Sequence, residues 1–115
     1  GDISEADLGN DHNVAVDALT IGLPLITSGN LGSTVFFRNT GASAAVKLTI
    51  SPKDTNKIIG NITLSASVFS ASGVLDKDVI NTKATALKGD WIALRAVSLT
   101  EWYIIGGQGI WVSEA

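Results

Sequence analysis

Few of the 115 residues could do chemistry, and they are dispersed. The single histidine, His12, sits in the acidic stretch 1–13. A metal centre or a Ser-His pair needs a histidine placed by rigid structure. The flanking residues are polar and without sustained period, so a solvated histidine is expected. Asp7, Asp11 and Asn13 set oxygen ligands at alternate positions, as at the start of a calcium loop. The twelfth position counted from Asp7 is Ala18, where such a loop needs a bidentate acid. Asp76 and Asp78 flank Lys77, and Asp54 stands in a polar loop. Carboxylates do acid–base work only with a cleft and a shifted pKa to support them. Gly106-Gly107-Gln108-Gly109 follows a strand pattern and lacks the lysine and hydroxyl of a phosphate loop. The expectation is a protein that is not an enzyme, with no catalytic residue, cofactor or metal.

The aromatic residues carry more information. Trp91, Trp102, Tyr103 and Trp111 fall within 21 residues. Clustered tryptophans serve as core packing, as subunit contacts or as stacking platforms for sugar rings. Trp91, Trp102 and Tyr103 are the candidates for a glycan platform or for packing.

The elements that must position these residues read as strands. Gly89-Asp90 is a turn signal. Ile92, Leu94 and Ala96 share one face of the strand after it, and Trp91, Ala93 and Arg95 the other. Ser98-Leu99-Thr100 turns the chain, and Trp102 and Ile104 return on one face. Earlier, Val14, Val16 and Ala18 alternate with Ala15, Asp17 and Leu19. Residues 34–39 alternate strongly, with Thr34, Phe36 and Arg38 on one side. Val46, Leu48 and Ile50 predict a strand over 44–50, residues 51–57 a polar loop, and Ile62, Leu64, Ala66 and Val68 another strand. Residues 74–88 mix helix formers with β-branched residues and are taken as an irregular strand pair. Ser4-Glu5-Ala6-Asp7 can cap one helical turn.

Seven or eight short strands with turn signals every 8–12 residues predict an all-β chain. The expected form is an antiparallel β-sandwich or jelly-roll, with one polar sheet face. The expected organisation is an extended acidic N-terminal arm over 1–13 and a β-sandwich domain over 14–115. The chain lacks cysteine and methionine, which points to a processed chain or a fragment. Residues 1–17 hold five acids and no Lys or Arg, while the rest holds eight basic and six acidic residues. Scattered basic residues and a net charge of −3 argue against nucleic-acid binding. No apolar run is long enough for membrane insertion. Charged residues make up 17%, against roughly 25% in ordinary domains. So few charges suit a surface partly buried against other subunits.

Phe37-x-Asn39-x-Gly41, then Gly89-Asp90-x-Ile92-x-Leu94, then Trp102-x-Ile104 followed by Gly106 and Gly107, form a pattern. Over residues 34–112 it resembles the small trimeric β-domains of tailed-bacteriophage virions: capsid decoration (cement) proteins, head fibres and fibre tips. The resemblance implies a homotrimer on the capsid surface of a virion, bound to the major capsid protein or another virion protein. Where such domains often turn on Asp-Gly-Thr, this chain places Leu99. Phe36, Leu99 and Trp111 are the candidate subunit-interface residues. Asp2, Glu5, Asp7 and Asp11 are the candidate capsid-docking arm. The alternative is a carbohydrate-binding or adhesive β-module that touches a host-surface glycan.

Overall fold

A computed structural model describes residues 2–63, 68–75 and 77–114. The strands are β1 (Asp11–Val14), β2 (Leu19–Gly22), β3 (Thr34–Asn39), β4 (Leu48–Ser51), β5 (Lys57–Thr63), β6 (Val68–Leu75), β7 (Val79–Asn81), β8 (Trp91–Ser98), β9 (Glu101–Gln108) and β10 (Trp111–Ser113). They form a six-stranded sheet in the order β1-β3-β8-β9-β5-β6 and a four-stranded sheet in the order β10-β7-β4-β2. Single 3-10 turns occur at Glu5–Asp7 and Lys83–Thr85. Among the described residues no helix is long and apolar enough to cross a membrane.

The all-β sandwich expected from the alternation is present, but its pairing is mixed. β1 runs parallel to β3, β2 parallel to β4, and β5 parallel to β9. The remaining pairs are antiparallel. Alternation specifies which face of a strand is buried. It does not specify the direction of its neighbour.

The core lies between the sheets. Val35 and Phe37 of β3, Ile92, Leu94 and Ala96 of β8, and Trp102 and Ile104 of β9 point into it from the larger sheet. Leu48 and Ile50 of β4, Val79 of β7 and Trp111 of β10 meet them from the smaller one. The inward set of β8 is the one the alternation predicts, because its outward neighbours Trp91 and Arg95 tolerate water at one end.

The expected strand over 14–19 is two strands in two sheets. Val14 closes β1 in the larger sheet and Leu19 opens β2 in the smaller. Ala18 takes a left-handed backbone at φ 62. The Asp17 carboxylate holds this crossing by accepting from the Lys47 backbone N–H at 2.9 Å and from Lys83 Nζ at 2.7 Å. The expected strand over 44–50 begins only at Leu48, because Ala44 also turns left-handed at φ 60. The region 74–88 holds the end of β6, β7 and a 3-10 turn. Leu64 and Ala66, expected in a strand, lie outside the described residues.

The boundary expected after residue 13 falls inside β1. Residues 2–14 lie along the sandwich: Ile3 donates its backbone N–H to Gly22, and His12 and Val14 face inward beside Phe37 and Asn39. The predicted helical turn forms, with the Asp7 carboxylate accepting from Ser4 N at 2.9 Å and Ser4 Oγ at 3.2 Å.

Candidate functional site

The residues weighed for chemistry are held in structural roles. His12 is half-buried, not free in solvent. Its Nε2–H donates to the Asp7 carbonyl at 2.9 Å, and its ring stacks on Phe37 with centroids 5.4 Å apart. Among the described residues no three His, Cys, Asp or Glu side chains gather as a metal site. Asp54 occupies an exposed turn at φ 51. Asp78 pairs its backbone with Glu114, and Asp76 lies outside the described residues. Gly106 to Gln108 finish β9 as strand, just after a bulge at Ile105.

The four acids of the N-terminal segment each have a partner in the chain. Asp2 lies 3.9 Å from Lys53 and Asp11 3.6 Å from Arg38. Glu5 accepts from Thr27 Oγ1 at 3.1 Å and Asn30 Nδ2 at 3.2 Å. Asp7 caps its own turn, and the two Ser4 hydrogen bonds hold its carboxyl below the usual range.

The Asn and Asp of the sequence pattern meet between the sheets. Buried Asn39 donates Nδ2–H to the Val46 carbonyl at 3.0 Å and to Asn81 Oδ1 at 2.8 Å. Its Oδ1 accepts from Gly41 N–H at 3.0 Å. Asn81 donates to Asp90 Oδ2 and to the Ile110 carbonyl, both at 3.1 Å. Asp90 Oδ2 also accepts from Leu87 N–H at 3.0 Å. Gly41 is required by contact: a Cβ there would come 2.2 Å from Val46 Cγ2. The amides of both asparagines are fully used, so this seam joins the sheets and leaves no free group for a substrate.

No protein family, curated protein or solved structure matches the chain.

The outer face of the larger sheet carries the remaining candidate aromatic side chains. No helix covers it among the described residues. Strand register arranges it in rows. The first row runs Asn13, Arg38, Trp91, Gln108; the second Asp11, Phe36, Ala93, Gly106; the third Thr34, Arg95, Tyr103, Ile59. Of the predicted aromatics, Phe36, Trp91 and Tyr103 share this face and are half-buried. Trp102 and Trp111 do not share it. They are 0% and 1% exposed in the chain's own core, so Trp111 has no surface to offer a neighbouring subunit. The glycines before Trp111 let the chain cross to the smaller sheet and carry its indole inward, where Nε1–H donates to the Gln108 carbonyl at 3.0 Å.

The β8–β9 hairpin breaks register twice, between Ala93 and Leu94 and between Ala96 and Ser98. Each break leaves one extra residue, Ile105 on β9 and Val97 on β8. Both are 49% exposed, and Leu99 at the turn is 56% exposed. Leu31, 46% exposed, joins this end, because its neighbour Gly32 donates to the Ala96 carbonyl at 2.8 Å. The sequence signal for the first bulge was Gly106 interrupting an alternating strand. Nothing local marked Val97.

Proposed function

We propose that the chain is a structural contact module: a homotrimeric decoration or head-fibre module bound to the outside of a phage capsid. The observation that carries the contact role is the bulged hairpin. Its inner face is core, through Leu94, Trp102 and Ile104, so its backbone is held firmly. Its outer face and turn display Ile105, Val97 and Leu99. Bulges re-aim side chains at sheet rims, and two of them here display apolar residues where a solvated hairpin would carry polar ones. Apolar side chains on a rigid element lose little conformational entropy on association, which suits them to subunit packing.

The virion form of the proposal rests on the sequence resemblance, and the seam gives its motif residues a shared physical purpose. Phe36 lies farther along the same face, against Trp91 and away from the turn, so the contact is centred on Val97 and Leu99 without it. The N-terminal segment would meet a capsid as a docked surface of the sandwich, because its acids are already paired within the chain. Three copies would multiply a modest contact per copy into stable attachment.

Sedimentation equilibrium of the wild type and of Leu99→Asp with Val97→Asp tests this. A trimer at micromolar concentration that becomes a folded monomer in the double variant is expected. A wild-type monomer, both free and mixed with capsids, would overturn the proposal.

A further inference from the structure

The opposite end of the same face is built differently. Trp91 lies six residues from Val97 along β8, about 20 Å away. Its six-membered ring lies against Gly106 of β9. A Cβ on Gly106 would stand 3.1 Å from Trp91 Cη2 and 3.3 Å from Cζ3, so the glycine is what lets the ring settle on the sheet. Nε1–H donates to Gln108 Oε1 at 3.3 Å and fixes the ring's rotation. The Phe36 ring lies beside it, centroids 6.0 Å apart and planes within 29°. On the far side of Trp91 in the same row stands Arg38, its guanidinium 3.6 Å from the Asp11 carboxylate.

We infer that Trp91, with Phe36, is a platform for a pyranose glycan. The solvent-reached part of a half-buried indole, widened by a stacked phenyl ring, accepts the C–H face of a sugar ring. The amide of Gln108 and the Arg38–Asp11 pair stand at its edges, where ring hydroxyls project, and can donate and accept in the plane of those hydroxyls. A second protein copy fits this end poorly, because an apolar partner would strip water from the Arg38–Asp11 pair without replacing its hydrogen bonds. A sugar replaces them. Asp11 beside the platform and the net charge of −3 disfavour a phosphate backbone. The core does not need Trp91, since its large aromatics are Phe37, Trp102 and Trp111. The trimer contact is centred on Val97 and Leu99 at the other end, and of its residues only Ile105, beside Gly106, borders the platform.

The test uses intrinsic fluorescence, because Trp91 is the one tryptophan that solvent reaches. Cellohexaose, chitohexaose, xylohexaose and a galacturonate hexamer are titrated into the full chain at millimolar concentration. At least one is expected to change the emission and protect Trp91 from iodide. Trp91→Ala should weaken that binding by roughly tenfold or more, while Trp91→Tyr retains part of it. Gly106→Val keeps the indole but lifts it from the sheet, and should weaken binding comparably with the fold intact by thermal melt. That variant decides the matter should Trp91→Ala fail to fold. Binding by none of the four sugars, or binding that survives loss of the flat indole, would overturn the inference. So would exclusion of iodide from Trp91 in the unliganded protein, which would mean that another copy covers the platform. Loss of the trimer in the sedimentation experiment, with sugar binding kept, would leave the inference standing.

Discussion

Asn39 Nδ2 donates to Asn81 Oδ1 across 2.8 Å, tying β3 of the larger sheet to β7 of the smaller. The pair is buried at both ends, and Asn81 in turn donates to the Asp90 carboxylate. Asn81→Leu should therefore destabilise the protein by about 3 kcal/mol, because it strips partners from Asn39 and from a buried acid at once. Urea unfolding would measure the shift in midpoint. A change within about 0.5 kcal/mol would show that the seam is dispensable.

Asn56 is the counterexample. It is 0% exposed, yet neither atom of its side-chain amide has a partner among the described residues. Asn56→Leu should be neutral or stabilising by about 1 kcal/mol, since it removes an uncompensated polar group and adds apolar contact. Thermal melting of the variant checks this, and a marked drop would mean that the amide is satisfied in solution.

The Lys83 ammonium and the Lys47 N–H hold the Asp17 carboxyl below its ordinary pKa. The folded chain thus keeps Asp17 ionised where the unfolded chain begins to protonate it. The resulting stabilisation is fully present above about pH 4 and fades as the pH falls through the lowered value. Lys83→Gln should raise the Asp17 pKa toward the unfolded value, as followed by carboxyl-carbon NMR. Stability near neutrality should fall only slightly, because the pair is exposed to solvent.

Iodide should quench about one tryptophan in three, and Trp111→Ala should cost about 3–5 kcal/mol. A Trp111 variant that stays stable but dissociates a trimer would place that indole at a subunit boundary instead of in the core.

Much of the fold was legible because burial leaves a period. Ile92, Leu94 and Ala96 announced the inner face of β8, and Ser4 with Asp7 announced the first turn. Val14 to Leu19 misled because the alternation continues through a crossing. Only Asp17, whose partners lie 30 and 66 residues away, marks the bend. The site was less legible for the same reason. Trp91 and Phe36 are neighbours through the register of β3 on β8, and no local spacing announces a contact set by tertiary pairing. Trp111 looked available because it stands beyond the glycines of the C-terminal tail, while the crossing between sheets turned its side chain inward.

The parallel pairing of β1 with β3 and β2 with β4 also sets an order in time. In synthesis from the N-terminus, residues 11–22 emerge before residues 34–51, which they must lie beside. Until then both segments have open backbone edges and no hairpin to close on. They must wait for the middle of the chain, and in a crowded assembly they could meet the same strands of a sister molecule first. Exchange of the first 22 residues between copies is the assembly error this topology invites.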